Sequence, residues 1–314
     1  MSMKKKLVGI YVAVLAAGLS FAAPAKSPAS TTKTVEITII ESPEYEAGQE
    51  DRQVTAGIGQ FFQRVPTVRK VTAQQAAADE KLREISYDFL PLYLLKKTEG
   101  IREKLAEPLA MGQLEETKEY IILPHQTRLG VYVGKKANPN VMELFVMSQC
   151  PYGVMAENKI IAAQKEGKIP AGKNIRIRYI VSYHPARGFS SLHGSGEWEE
   201  DVRQLLIAKY YPSKLWKYLE IRNKDYRSSR WDKAMQDAGI NVNKIISKFD
   251  NEGLELLKAE AEYGQEYGIG ASPTFLWEGQ AQLDFVGASK VPGFEFLNSS
   301  SNTGVPADVP AGSC

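Results

Sequence analysis

VMELFVMSQCPYGV, residues 141–154, is the stretch that decides the fold. The apolar run up to Met147 predicts a buried strand, and the residues after Pro151 predict a helix. Cys150 therefore lies at the junction, where the free N–H groups and positive dipole end of a helix stabilise a thiolate. Such a position can lower a cysteine pKa from about 8.5 to roughly 3.5–7.5. We expect an accessible nucleophilic thiol for thiol–disulfide chemistry; the alternative is a buried structural cysteine.

The second informative feature is the missing neighbour of this cysteine. Gly153 stands where a two-cysteine redox motif carries its second thiol, and the other cysteine of the chain is the last residue, Cys314. Cys314 is a candidate resolving thiol, because a flexible tail of 17 residues reaches roughly 20–25 Å at an effective concentration of the order of millimolar. Alternatively an external thiol completes the cycle, or Cys150 is a binding or sensing thiol that oxidises stepwise. Two alternatives for Cys314 are equally open: it is an incidental terminal cysteine, or it pairs between molecules.

Composition and the N-terminus indicate an exported protein. Residues 1–23 combine Lys4, Lys5 and Lys6 with an apolar run and small residues, which predicts a signal peptide. Loss of those three lysines changes the net charge from +2 to −1, so a nucleic-acid partner is not expected. Three histidines without ligand spacing, and no nucleotide-binding glycine pattern, predict neither metal nor cofactor. The apolar run is too short for a membrane span, and none is expected after cleavage.

The remaining chain divides into segments of different composition. Residues 24–33 form a polar lead-in predicted to be disordered, and residues 298–314 form a Ser/Gly/Pro-rich flexible tail. Two α/β domains are predicted, at 34–135 and 141–297, joined by the Gly- and Asn-containing segment 134–140. In detail the patterns predict helices at 58–64, 73–84, 154–166 and 253–265, a mostly helical region at 197–249, and strands at 35–40, 120–123, 130–133, 141–147, 174–182 and 283–286.

The two predicted domains share a pattern. Each has a helix, a short polar turn, then a proline followed by an apolar strand, with Pro91 and Pro273 in corresponding places 182 residues apart. The strand at 35–40 likewise resembles the one before Cys150, but no cysteine follows it. These matches favour an internal repeat whose first copy lacks the nucleophile, against chance similarity of amphipathic segments.

Together, Cys-Pro-Tyr at a helix start, a helical insertion and a later Ser-Pro-Thr-Phe before a strand resemble the thioredoxin fold, specifically its DsbA-like thiol–disulfide oxidoreductases. The resemblance covers 141–297 well and 34–135 loosely, and Gly153 makes this a monothiol Cys-Pro-Tyr-Gly variant. It implies two tandem thioredoxin-like domains, the second with a helical insertion, in a periplasmic protein. It further implies that Pro273 is a cis-proline beside Cys150. The substrate groove for protein or peptide thiols and disulfides would then consist of Pro151, Tyr152, Ser272, Pro273 and Thr274.

Other residues are weaker candidates. His184 and His193 could serve Cys150 as proton shuttles, but packing in the loops is the simpler interpretation. Lys159 could tune the thiolate, although the helix terminus is the larger effect. Two further function classes stay open: a non-catalytic binding or chaperone module, favoured by the absent second thiol, and a transferase or peroxidase that depends on a small thiol.

Overall fold

The computed structural model describes residues 34–42, 48–124 and 126–298 of the chain. The predicted signal peptide, the lead-in and Cys314 lie outside the described residues. The described chain forms two compact units. The N-terminal unit contains residues up to 136 together with 280–282, and the C-terminal unit contains 137–279 and 283–298. Helices and sheets occur in both, so the predicted α/β class is confirmed.

The elements of the N-terminal unit are β1 (Thr34–Glu41), α1 (Gly48–Phe62), β2 (Val65–Thr72), α2 (Ala73–Ala78), β3 (Phe89–Leu90), β4 (Leu92–Lys96), α3 (Glu99–Lys104), α4 (Ala106–Ala110), β5 (Glu115–Glu116), β6 (Tyr120–Leu123), β7 (Gly130–Tyr132) and β13 (Ala281–Leu283). Five of the strands form a sheet with the order β2-β1-β4-β6-β5. Strands β1 and β2 are parallel, and the helix α1 connects them; β4 runs antiparallel to β1, and β6 antiparallel to β4. Separately, β7 pairs antiparallel with β3 and with the first two residues of β13.

The C-terminal unit repeats the parallel β-α-β arrangement. Its elements are β8 (Val141–Val146), α5 (Pro151–Lys165), β9 (Asn174–Tyr179), β10 (Ser182–His184), β11 (Gly188–Ser190), α6 (Ser195–Tyr210), α7 (Leu215–Arg222), α8 (Trp231–Asp237), α9 (Val242–Lys248), α10 (Leu254–Glu266), β12 (Thr274–Trp277) and α11 (Phe285–Ser289). Strand β8 leads into α5, β9 lies parallel to β8, and β12 lies antiparallel to β8 on its other side. A helical region separates β9 from β12. This arrangement is consistent with a thioredoxin-like fold.

Residue chemistry explains where these elements begin and end. Every residue of β8 is buried, Glu143 included, as a strand with five apolar residues out of six predicts for the centre of a sheet. Helix α5 ends before Gly167, whose φ of +64° is the left-handed conformation that glycine adopts without strain. The core of this unit joins β8 and α5 to the helical region through residues such as Leu144, Ile160 and Leu206. Strand and helix are therefore held firmly on both sides of the loop that carries Cys150.

Two predicted elements were wrong. The helix predicted at 73–84 ends at Ala78, because the Asp79 carboxylate accepts a hydrogen bond from Lys81 N at 2.9 Å and forms a turn instead. The strand predicted at 283–286 is also replaced: β13 ends at Leu283 and α11 begins at Phe285. Asp284 caps that helix, since its carboxylate accepts from Gly287 N at 2.7 Å. In both cases a hydrogen bond from a backbone amide to an aspartate carboxylate determined the local conformation, and the sequence pattern did not.

A charged cluster attaches β8 to its neighbours. Arg178 on β9 lies 2.7 Å from Glu143 Oε1 on β8 and 2.7 Å from Glu260 Oε1 on α10. The Glu143 side chain is 1% exposed, and its second oxygen accepts from Tyr263 OH at 2.7 Å. Buried carboxylates require such partners, because water no longer solvates them.

We expect Arg178→Met to destabilise the protein by about 3–5 kcal/mol, because it leaves two buried carboxylates without their cation. Urea unfolding at neutral pH measures the change. Arg176→Met is the matched control: it lies on the same strand, its side chain is 58% exposed and its contact with Glu143 is 4.0 Å. A similar loss in both variants would contradict this account of the cluster.

Candidate functional site

Cys150 lies at the start of α5, as the sequence indicates. It is the N-cap residue of that helix, and no side-chain hydrogen bond satisfies the helix N–H groups there. Its own amide donates to Met147 O at 2.9 Å, and its carbonyl accepts from Val154 N at 3.0 Å. The positive end of the 15-residue helix therefore points at this position. A negative charge on sulfur would be stabilised here.

The state of the sulfur differs from the expected accessible thiol. Cys150 is 0% exposed and is disulfide-bonded in the structure. Its Sγ lies 3.6 Å from the carbonyl oxygen of Ser272, in the segment before β12. The 0% exposure is therefore that of the oxidised form. The other cysteine of the sequence, Cys314, lies outside the described residues.

Ser272 and Gly153 make a close approach beneath this cysteine. Ser272 is fully buried, and its hydroxyl oxygen accepts from Met147 N at 3.1 Å. A Cβ placed on Gly153 would lie 2.8 Å from that same hydroxyl oxygen, 3.2 Å from Met147 O and 3.2 Å from Val146 Cβ. The place where a second motif cysteine would stand is therefore filled by neighbouring atoms, and glycine fits because it has no side chain.

We expect Gly153→Ala to cost about 1–3 kcal/mol of stability through this overlap. In the background of Ser272→Ala the cost should become smaller, because the nearest overlapping atom has been removed. A double-mutant cycle measured by chemical denaturation tests the coupling. Gly270→Ala is the control, since nothing lies within 4 Å of its added Cβ. Additive effects of Gly153→Ala and Ser272→Ala would contradict the proposed contact.

The other predicted groove residues lie around the same point of the C-terminal unit. The Ser272–Pro273 peptide bond is cis, as is Leu90–Pro91 in the N-terminal unit. Pro151 occupies the first position of α5, where its missing N–H leaves no bond unmade. Tyr152 is half-buried. Thr274 is buried, and its hydroxyl donates to Ala271 O at 2.7 Å.

The two candidate histidines have different surroundings. His184 is exposed, and its Nδ1 accepts from Ala186 N at 3.1 Å, which is ordinary packing within a turn. His193 is half-buried, and its Nδ1 lies 2.6 Å from Glu197 Oε2. Glu197 is fully buried and also accepts from Gln149 N at 3.1 Å. His193 is thus connected, through one carboxylate, to the residue that precedes Cys150.

Two further buried acids line the interior behind α5. Glu157 is 1% exposed. Asn223 Nδ2 donates to its Oε2 at 2.8 Å, while Oε1 has no partner within the described residues. Burial raises the pKa of this carboxyl to about 7. Asp201 is also fully buried, and burial raises its pKa well above the usual range. Ser148 is its polar neighbour, but no contact between them has the distance and angle of a hydrogen bond.

The raised pKa of Glu157 implies a pH dependence of stability. The unfolded carboxyl titrates near 4.5 and the folded one near 7. The protonated folded form is therefore fully favoured below about 4.5, and this contribution is lost as the pH rises through about 7. Glutamine stays neutral at every pH, so we expect Glu157→Gln to reduce the change in the free energy of unfolding between low and high pH by up to about 3 kcal/mol, at roughly 1.4 kcal/mol per pKa unit.

Unfolding midpoints between pH 4.5 and 8.5 measure this effect. Glu166→Gln is the matched control, because it follows the same helix and has a side chain that is 54% exposed. The prediction is contradicted if the Glu157→Gln variant retains the full wild-type slope.

Sequence reasoning missed Glu197, Glu157 and Asp201, which are charged residues in regions identified only as helical. The i, i+4 spacing of His193 and Glu197 was not a signal either, because that rule applies within a helix and His193 precedes α6. Nothing in the residue pattern marked Glu157 as buried. Lys159 is also buried on α5, and burial lowers its pKa; its Nζ lies 5.9 Å from the centroid of the Phe285 ring.

Comparison with solved structures finds likenesses over about half of the chain. The DsbA disulfide interchange protein of Klebsiella pneumoniae is 14% identical, with 51% of this chain and 84% of that chain covered and a TM-score of 0.37. A DsbA of Proteus mirabilis with a non-covalently bound peptide is 12% identical, with 56% and 92% covered and a TM-score of 0.38. A putative protein-disulfide isomerase of Pseudomonas syringae is 18% identical, with 52% and 93% covered and a TM-score of 0.35.

The sequence comparisons gave no match: no protein-family model and no curated protein is similar to this chain. Within the described residues, no cluster of three or more His, Cys, Asp or Glu side chains has the geometry of a metal site. No helix in the described part combines the length and apolarity required to cross a bilayer.

Proposed function

We propose that this protein is an exported, DsbA-like thiol–disulfide oxidoreductase in which Cys150 exchanges disulfides with protein or peptide substrates. The observation that carries the proposal is a disulfide-bonded cysteine at the start of α5, with its sulfur 3.6 Å from the Ser272 carbonyl. A helix N-terminus stabilises the thiolate that leaves when the disulfide opens. The Cys150 sulfur thus lies at a place where its reduced form, the thiolate, is stabilised.

Cys314 is the proposed partner sulfur. The sequence has one cysteine besides Cys150, so within a single chain the disulfide of Cys150 has one candidate partner. A tail long enough to return to the site makes the pairing feasible. Gly153 supports the assignment further, because its packing against Ser272 leaves no room for a resolving thiol in the first turn of α5.

The exchange balances with these two sulfurs. A substrate thiolate attacks Cys150 Sγ, the Cys150–Cys314 bond breaks, and Cys314 leaves as a thiolate that takes up a proton. A second substrate thiolate then attacks the substrate sulfur of the mixed disulfide and releases the Cys150 thiolate. Two electrons pass from the substrate dithiol to the protein, and the substrate gains a disulfide; the reverse sequence reduces a substrate disulfide. A small external thiol could replace either partner.

Pro151, Tyr152 and Pro273, which are partly exposed, would form the surface against which the substrate chain lies, with the buried Ser272 and Thr274 supporting it from within. The Proteus mirabilis DsbA binds a peptide non-covalently, and a comparable peptide site is proposed here. Neither a cofactor nor a metal is required by the exchange written above. Residues 1–23 would direct the protein out of the cytoplasm, with the periplasm as the proposed compartment, where disulfides persist.

The N-terminal unit is proposed to be a thioredoxin-like copy without a nucleophile, so that the chain carries two tandem domains at 34–135 and 141–297. Its support is the strand arrangement: β1, α1, β2 and the antiparallel β4 repeat the order of β8, α5, β9 and β12. A copy without a cysteine could bind a substrate chain but could not exchange a disulfide.

Peptide mapping under non-reducing conditions, together with a turbidity assay of insulin reduction, tests the function. We expect a peptide pair containing Cys150 and Cys314 in the purified protein. Cys150→Ser should abolish exchange because it removes the attacking sulfur. Cys314→Ser should lower turnover at least about tenfold, because a mixed disulfide then waits for an external thiol.

The double variant Cys150→Ser with Cys314→Ser is the control for background reaction. Equal inactivity of wild type and all variants would overturn the enzyme and favour the binding or chaperone module. Turnover that tracks an added small thiol and ignores Cys314 would instead favour the transferase or peroxidase class.

A further inference from the structure

Glu197 lies at an unusual place for a carboxylate. It is the third residue of α6 after the N-cap Gly194, and it is 0% exposed. Its Oε2 accepts from Gln149 N at 3.1 Å, and its Oε1 accepts from His193 N at 3.2 Å. The ring of His193 completes the set, with Nδ1 2.6 Å from Oε2. Burying a carboxylate is costly, and these directional bonds offset the lost hydration.

The bonds connect α6 to the two residues immediately before Cys150. Besides the Gln149 amide, the hydroxyl of Ser148 donates to the backbone carbonyl of Glu197 at 3.1 Å. The segment Ser148–Gln149 is therefore held at two points by one residue. Since β8 ends at Val146 and α5 begins at Pro151, this short connection decides how the Cys150 sulfur enters the helix start.

We propose that Glu197 is a positioning residue for Cys150: it fixes the Ser148–Gln149 segment and places a buried negative charge next to the helix start that carries the thiol. The inference rests on the proposed function only in taking Cys150 as the reacting cysteine. Two opposed effects then act on the sulfur. The dipole of α5 favours the thiolate, whereas a neighbouring carboxylate disfavours it.

Other titratable groups around this segment are on α6 and in the connection before α8. Glu200 and Asp201 share α6 with Glu197 and are fully buried. Arg227 Nη2 contacts Gln149 O at 3.4 Å and is exposed, so solvent and salt screen its charge. None of these groups accepts a hydrogen bond from the Gln149 amide. The bond from that amide to Glu197 therefore separates a positioning role of Glu197 from a general effect of nearby charge.

Two measurements on the reduced, full-length protein test the proposal without any substrate. The first is the pKa of the Cys150 thiol, from the pH dependence of its alkylation in a Cys314→Ser background. The second is amide hydrogen exchange of the peptide that contains Gln149. Glu197→Gln retains an oxygen that can accept the amide but removes the charge, whereas Glu197→Ala removes both. Glu199→Gln and Glu199→Ala are matched controls, because Glu199 is on the same helix with a 37% exposed side chain.

We expect Glu197→Gln to lower the thiol pKa by on the order of one unit, a tenfold gain in thiolate. Glu197→Ala should raise exchange at Gln149 at least about tenfold, while the peptides of β8 and of the α5 interior keep wild-type protection. The Glu199 variants should leave both quantities at wild-type values.

An unchanged thiol pKa in Glu197→Gln, or unchanged exchange at Gln149 in Glu197→Ala, in proteins with native circular dichroism, would overturn the positioning role. Should either variant not fold, Glu197→Asp replaces it: the charge stays, the shorter side chain withdraws from the amide, and exchange at Gln149 should still rise. Because both readouts use reduced protein alone, an inactive wild type would refute the proposed function and leave this test intact.

Discussion

The close approach between the start of α5 and the Ser272–Pro273 segment is the constraint on which the site depends. Ser272 accepts the amide of Met147 at the end of β8 and presents its carbonyl to the Cys150 sulfur. Gly153 permits this distance because it adds no atoms in the gap. Strand, helix and the segment before β12 thus converge on one sulfur. The arrangement follows from packing in the C-terminal unit alone.

The surroundings of the Cys150 sulfur contain groups that favour a negative charge on it and groups that disfavour one. The helix start supplies partial positive charge, and burial supplies a medium in which such charges act strongly. Against this, the unit contains buried acids, which include Glu157, Glu197, Glu200 and Asp201. Burial keeps the pKa of Glu157 and Asp201 raised, so these two carboxyls favour their neutral forms. Glu197 accepts from two backbone amides and lies beside the ring of His193.

The sequence allowed the α/β class, the strand before Cys150 and the helix after it to be predicted, because long apolar runs and helix-start signals are local. It failed where a single side-chain bond overrode the pattern, as at Asp79 and Asp284. The buried acids could not be predicted because their burial depends on which helix faces pack together. Residues such as Glu197 and Glu199 are alike in sequence, and only tertiary packing distinguishes them.

Gly153 has a consequence for protein engineering. A Gly153→Cys substitution would give the chain a conventional pair of cysteines. The new side chain would have to occupy space already taken by a serine hydroxyl and a backbone carbonyl. A designer would have to alter the segment before β12 at the same time. A relay through a distant thiol is therefore compatible with this packing, whereas a compact dithiol would require remodelling of the pocket around it.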